Sequence, residues 1–221
     1  MRAAIIVFPG SNREHDAARA LSRAMGKEPD FVWHNDSEMP KTDLILLPGG
    51  FSYGDYLRTG AMAAHSPIMR EVIDRAKKGV RVWGICNGFQ ILCETGLLPG
   101  ILLRNASLKF VCRTVTLSVE QTDSDFTRLC QRGQELRVPV AHGDGNYFAS
   151  ADMLKELEDY GQIAFRYRDN PNGSIRDIAG VFNKTRNVLG HMPHPEDAIE
   201  PLHGSADGAV LFESIAKALA A

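Results

Sequence analysis

One stretch limits what this chain can fold into more than any other: Gly79-Val80-Arg81-Val82-Trp83-Gly84-Ile85-Cys86-Asn87-Gly88-Phe89-Gln90-Ile91-Leu92. Its β-branched Val80, Val82 and Ile85 predict a short buried strand, and the residues after Cys86 open a helix. Gly84 and Gly88 stand two positions to either side of Cys86, giving Gly-x-Cys-x-Gly, the thiol counterpart of the Gly-x-Ser-x-Gly nucleophile elbow. A side chain at the tip of such a turn sits on strained backbone, so its neighbours must be small for the turn to close. The helix that follows aims unpaired N–H groups and a positive dipole end at the sulfur, which favours thiolate over thiol. The Asn87 amide is placed to donate to an oxyanion. A buried structural cysteine fits the same pattern, and only a base elsewhere in the chain separates the two readings.

The 221 residues suit one large α/β domain, residues 1–221, better than two small ones. Twenty-five basic and 27 acidic residues leave a net charge of −2 without a run of either sign, which argues against a nucleic-acid or membrane surface. The four cysteines, Cys86, Cys93, Cys112 and Cys130, include no Cys-x-x-Cys pair. A disulfide framework or zinc site is therefore not expected, and a reducing compartment is. Met1-Arg2 before Ala3–Phe8 has the outline of a signal peptide, but the apolar run is short and ends in Pro9-Gly10-Ser11-Asn12, so it reads as a strand. No stretch has the length to span a bilayer. The expected location is the cytoplasm.

Along the chain, Ala3–Phe8 is an apolar strand and Glu14–Met25 a helix with Ala17, Ala18, Leu21 and Met25 on one face, stopped by Gly26. Asp30–His34 and Leu44–Leu47 are further strands, the latter running into Pro48-Gly49-Gly50, and Pro67–Lys77 is a helix. Apolar strands alternating with helices imply a parallel sheet covered on both faces, with ligands at the carboxyl ends of the strands. Gly10, Gly49-Gly50 and Cys86 all lie just past such ends and are expected to converge. The second half changes character. Lys109–Val119, Leu136–Val140, Ile163–Arg168 and Ile178–Phe182 read as strands, the last two joined across Asp169-Asn170-Pro171-Asn172-Gly173, and they bring antiparallel pairing into the sheet. Helices are predicted over Asp125–Arg132, Asp152–Tyr160 and Gly208–Leu219. The fold class is α/β: a single doubly wound, mostly parallel, flavodoxin-like sheet with helices on both faces and some antiparallel strands in the second half.

His194-Pro195-Glu196 supplies the base that Cys86 lacks. Pro193 and Pro195 predict extended backbone around His194, and residues two apart in extended chain face the same side. Glu196 then lies beside the imidazole, orients it and stabilises its charged form. In isolation a solvated surface His-Pro-Glu is the better reading. Beside a Gly-x-Cys-x-Gly elbow it becomes the weaker one.

Cys86 in Gly-Ile-Cys-Asn-Gly-Phe-Gln, together with His194 and Glu196 in His-Pro-Glu, resembles the class I (triad) glutamine amidotransferases. The segments Phe8–Asn12, Gly49–Arg58, Cys86–Leu98, His142–Tyr147, Asn170–Ala179 and Val188–Glu196 extend the resemblance over almost the whole chain. They point toward the branch of that family that serves formylglycinamidine ribonucleotide synthesis in the purine pathway. The chain departs from the pattern at Arg13, where a small residue or cysteine is usual, at Asp144, where Glu is usual after His-Gly, and at His191.

The resemblance implies that Cys86 attacks the side-chain amide of L-glutamine while backbone N–H groups near Gly50–Phe51 and at Asn87 hold the oxyanion. His194 would protonate the departing ammonia and then activate water against the thioester. Gln90 resembles the family's glutamine-binding residue, set against a plain polar position on the solvent face of a helix. The resemblance also implies no cofactor in this chain. ATP and Mg belong to a separate synthetase chain that converts formylglycinamide ribonucleotide to formylglycinamidine ribonucleotide, with a third small subunit as a further candidate partner.

Other features carry plainer expectations. The Phe51–Arg58 loop is rich in glycine but lacks the Gly-Lys-Ser/Thr ending of a phosphate loop, so no nucleotide site is expected there. Its two tyrosines and Arg58 suit an interface. His191 and His194 have no third ligand and no helix to share, so no metal is expected. His142 either supports the site or faces a partner, or is a plain loop histidine. Cys93, Cys112 and Cys130 read as core residues, and Trp33 and Trp83 as packing. Two other functions compete. One is another enzyme on the same elbow fold, such as a γ-glutamyl hydrolase or a protein of the cysteine-elbow stress family, the latter keeping its acid partner elsewhere in the chain. The other, a catalytically silent regulatory subunit, has no need of an intact Cys86, His194 and Glu196.

Overall fold

Four short apolar segments, each followed by a turn or helix, set up the architecture. A computed structural model describes residues 1–220. The elements run β1 (Ala3–Val7), α1 (Glu14–Met25), β2 (Asp30–Trp33), β3 (Leu44–Leu47), α2 (Ala61–Ala64), α3 (Pro67–Lys77), β4 (Arg81–Ile85), α4 (Asn87–Glu94) and β5 (Ile101–Leu103). They continue β6 (Val111–Val119), β7 (Glu135–His142), β8 (Asn146–Phe148), α5 (Ala151–Asp159), β9 (Ile163–Tyr167), β10 (Ile178–Phe182), β11 (Val188–His191) and α6 (Ala209–Ala220).

Nine strands form one sheet in the order β2-β1-β3-β4-β11-β10-β9-β6-β7. The pairings from β2 to β11 are parallel, and those from β11 to β7 are antiparallel. Every residue of β3, β10 and β11 is buried, as a sheet covered on both faces requires. The chain moves from β1 to β2 in one direction along the sheet and from β3 to β4 in the other. Right-handed crossovers then put α1 and α3 on opposite faces and open a crevice between the carboxyl ends of β1 and β3. Helix α1 buries Ala17, Ala18 and Leu21, packs against α6 and ends where Gly26 turns left-handed at φ 67°.

Several expectations need correction. Asp125–Arg132 forms turns and no helix. The hydroxyls of Ser124 and Thr127 bond each other at 2.8 Å and Asp125 is held by Arg81 at 2.8 Å, local side-chain bonds that compete with a helical ladder, while Phe126 is driven into the core. Strands β5 and β8 pair in a small separate sheet, and α2 is a single short turn of helix; both are too brief to leave a periodic signal. Cys112 is exposed, unlike Cys93 and Cys130. Trp83 is wholly buried between Phe126 and Phe212, whereas Trp33 is half exposed on edge strand β2 against His34. No helix among the described residues is long and apolar enough to cross a membrane.

Candidate active site

The elbow is built as its spacing demands. Cys86 caps α4 at the carboxyl end of β4 with φ 51° and ψ −106°, a backbone that holds roughly 1–3 kcal/mol of strain in a residue other than glycine. Its N–H donates to the carbonyl of His191 at 2.8 Å, which fixes the turn to the neighbouring strand. A Cβ on Gly88 would stand 2.0 Å from the Leu47 carbonyl oxygen, and one on Gly84 would stand 2.7 Å from the Gly88 carbonyl. Both glycines are thus dictated by how closely α4 approaches β3 and β4. The cysteine itself is buried.

His194 reaches this thiol from the end of β11. Its Nδ1–H donates to Oε1 of Glu196 at 2.7 Å, and its Nε2 is buried without a hydrogen-bond partner. Burial opposes the imidazolium, but Glu196 and then Cys86 outweigh it and hold the His194 pKa well above the ordinary histidine value. The backbone differs from the extended chain predicted for His-Pro-Glu. Pro195–Asp197 form a 3-10 turn closed by the Ala198 N–H on the Pro195 carbonyl at 3.0 Å. Proline suits the first position of such a turn, where no N–H is needed, and the turn brings Glu196 back onto its own histidine. The His194 N–H donates to the Pro139 carbonyl at 2.8 Å, so β7 helps to hold the base.

The oxyanion side is narrower than expected. The Phe51 N–H donates to the Gly10 carbonyl at 2.9 Å and the Asn12 N–H to the Gly49 carbonyl at 3.4 Å, bracketing an isolated antiparallel bridge between Ser11 and Gly50. In that pattern the bracketed residue turns its N–H away from its partner. The Phe51 amide is therefore engaged, and the amides left for an oxyanion are those of Gly50, which lines the cleft, and Asn87, which has no intrahelical acceptor. Phe51 still contributes its ring, which lies 6.4 Å from that of Phe110 at the cleft mouth.

Gln90 is buried rather than on a solvent face. Its Oε1 accepts from Asn87 at 2.9 Å, and its Nε2 donates to the Asp144 carbonyl at 2.7 Å. His142 is no plain loop histidine either. It is buried between Asn105, 3.2 Å from Nδ1, and Asn172, 3.4 Å from Nε2, and burial followed by the charge of His194 lowers its pKa to about 4. Sequence reasoning missed these two asparagines, which carry no motif of their own. His191 is a strut: Trp83 Nε1–H donates to its Nε2 at 2.7 Å and its Nδ1–H donates to the Pro193 carbonyl at 2.8 Å, while burial lowers its pKa to about 3. Arg13, a departure from the family pattern, pairs with Asp16 at 3.1 Å and Asp197 at 3.3 Å and so ties α1 to the His-Pro-Glu turn.

Cys86, His194, Gly50 and Arg13 share a cleft of about 150 Å³. A larger cavity of about 580 Å³ lies beneath the amino ends of β4 and β11, among Lys77, Arg81, Asp123 and Arg186, and holds none of these groups. Size is a poor guide here; Cys86 and His194 meet at the small cleft, with Glu196 wholly buried behind the imidazole.

Residues 1–209 match the CobB/CobQ-like glutamine amidotransferase domain. The phosphoribosylformylglycinamidine synthase subunit PurQ of Rhizobium etli is 56% identical over 223 residues, covering 100% of this chain and 100% of that one. The subunit of the same name from Brucella suis is 58% identical over 215 residues, 96% of each chain. A chain in the structure of PurLQS from Thermotoga maritima is similar with a TM-score of 0.91 and 47% identity, over 99% of this chain and 98% of that chain.

Proposed function

The chain belongs to the CobB/CobQ-like glutamine amidotransferase family, and from that premise we propose that it is the glutaminase subunit of a phosphoribosylformylglycinamidine synthase, acting as one domain over residues 1–221. It hydrolyses L-glutamine to glutamate and passes the ammonia to a synthetase chain, which uses ATP and Mg to convert formylglycinamide ribonucleotide to formylglycinamidine ribonucleotide. One observation carries the chemistry: His194 is held by Glu196 at 2.7 Å with its Nε2 left unpartnered beside a thiol on a strained elbow.

The steps follow from that pairing. The Cys86 thiolate attacks the side-chain carbonyl carbon of glutamine, and the resulting oxyanion accepts hydrogen bonds from the Gly50 and Asn87 amides. As the tetrahedral centre collapses, the C–N bond breaks and the His194 imidazolium gives its proton to the leaving ammonia. Neutral His194 then takes a proton from water as its oxygen attacks the thioester, and returns that proton to the sulfur as glutamate departs. Glu196 holds the ring in the tautomer that both steps need.

Ammonia released into neutral water is mostly protonated and no longer nucleophilic, so hydrolysis is useful only when the partner is present. Tyr56 and Leu57, 75% and 85% exposed, project from the loop that follows Gly50 and offer the synthetase a handle on the oxyanion donor. One lost donor is worth roughly a hundredfold or more in rate. The test is glutamine hydrolysis by the chain alone and with saturating synthetase. A weak isolated chain that is activated on adding the synthetase is expected; full activity in the isolated chain, unchanged by partner, would favour a stand-alone hydrolase.

A further inference from the structure

We propose that Asp55 is the counter-ion for the α-ammonium group of glutamine, and thereby restricts the site to amides that carry a free amino group. The proposal rests on glutamine being the substrate and assigns the far end of that substrate to a residue.

Asp55 ends a tight turn whose backbone is left-handed at Tyr53, Gly54 and Asp55, with φ of 54°, 71° and 55°. The turn is held from behind. The Tyr53 hydroxyl bonds Nδ1 of His34 at 2.7 Å and Oγ of Ser66 at 3.1 Å, and the Tyr53 N–H donates to the Pro9 carbonyl at 2.7 Å. So anchored, the turn brings Asp55 to a narrow lobe of the cleft that Cys86, Gln90 and Asp144 also line. The side chain is half-buried, between that lobe and an outer cavity lined by Arg58 and Arg104, and its Oδ1 is buried with no hydrogen-bond partner. A carboxylate oxygen left in that state is unfavourable unless something arrives to pair with it.

Among the described residues no cation pairs with Asp55. Arg58 is engaged with Glu94 through two bonds of 2.6 and 2.5 Å, and Arg104 pairs with Asp144 at 3.7 Å. His142, the other titratable group in the lobe besides Cys86 and Asp144, is neutral near pH 7 because its pKa is lowered to about 4, chiefly by burial. Burial, and then the charge of Asp144, push the Asp55 carboxyl up to about 6. Asp55 thus stands without a counter-ion at the lobe that Cys86 also lines, whereas Asp144 has Arg104. Glutamine fits this distribution. With its amide carbon at the Cys86 sulfur, its other end carries an ammonium group for Asp55 to accept.

The experiment is steady-state glutamine hydrolysis by the complex of this chain with its synthetase, comparing wild type with Asp55→Asn. Asparagine keeps the shape and tolerates left-handed backbone. The expected result is a KM for glutamine raised about tenfold to a hundredfold, the worth of a charge-assisted hydrogen bond, with kcat changed only a few-fold. Alkylation of Cys86 by iodoacetamide, which has no ammonium, should proceed at the wild-type rate. Wild type should also discriminate against glutaramate, the deaminated analogue, by a similar factor, and Asp55→Asn should lose most of that discrimination. In wild type, kcat/KM should fall below about pH 6 more steeply than in the variant. Asp144, Arg104, Arg58, Glu94 and His142 are present in both proteins, so the difference between the profiles isolates Asp55. An unchanged KM in Asp55→Asn, or equal turnover of glutamine and glutaramate by wild type, overturns the assignment alone. A wild-type complex that does not hydrolyse glutamine overturns the underlying reading and this assignment with it.

Discussion

His191 and His194 lie three positions apart, both are buried, and they are driven to opposite charge states. His191 has an indole N–H on one nitrogen and a carbonyl on the other, partners that suit only the neutral ring. His194 has a carboxylate on one nitrogen and nothing but the thiol's neighbourhood on the other. Desolvation acts on both; a contact carboxylate reverses its effect on one. Burial alone therefore does not identify a catalytic histidine. The partner set does, and on the proposed mechanism the unfilled nitrogen marks the base.

The largest effect that can test this contrast is removal of the reactive side. His194→Ala and Cys86→Ala should each reduce glutamine hydrolysis by about 10⁴-fold or more, while synthesis driven by added ammonia in the complex continues. Near-wild-type hydrolysis in either variant would move the chemistry elsewhere. Glu196→Gln should leave a measurable remnant, because the base survives without its orienter. An imidazole NMR titration should then find the His194 pKa displaced downward, toward the behaviour of His191.

The strut should answer to stability rather than rate. His191→Leu leaves the Trp83 N–H and the Pro193 carbonyl without partners in the core, a loss of about 1–3 kcal/mol in calorimetry or denaturant unfolding. The pH profiles should diverge as well. The folded pKa of His191 is lowered to about 3 from 6.5, so the unfolded chain takes up the proton first. Stability from this group is complete above pH 6.5 and declines toward pH 3, by about 1.4 kcal/mol per pH unit. His194 has the opposite sign: the stability from its ion pair is complete below its unfolded pKa and is lost as pH rises through its raised folded value. A His191→Leu chain with an unaltered acid slope would contradict this. The smallest effect belongs to Arg13→Ala. Its pairs are partly solvated, and a change under about 1 kcal/mol is expected, with hydrolysis nearly intact.

Much of this was legible from residue patterns. Leu44–Leu47 and Pro67–Lys77 occupy the predicted spans because local apolar runs and a proline at the helix start are strong, short-range signals. The elbow was legible for the same reason. The His-Pro-Glu turn was not, because proline is compatible with both extended chain and the first turn of a helix, and only docking onto β7 selects between them. The Phe51 amide misled because its acceptor, the Gly10 carbonyl, lies on another strand-end loop. Asn105 and Asn172 hold His142 through tertiary contacts alone.

The Cys86 N–H donates to the His191 carbonyl at the end of β11, and the His194 N–H to the Pro139 carbonyl on β7. No contiguous segment contains a working set, so catalysis depends on contacts of long sequence separation, the kind that form late and slowly. In a refolding experiment, recovery of glutamine hydrolysis should therefore lag behind any signal from the β1–β4 half and coincide with closure of the antiparallel half. A chain with the elbow formed and β7 unpaired would lack the Pro139 carbonyl that holds the His194 N–H, and should make no ammonia.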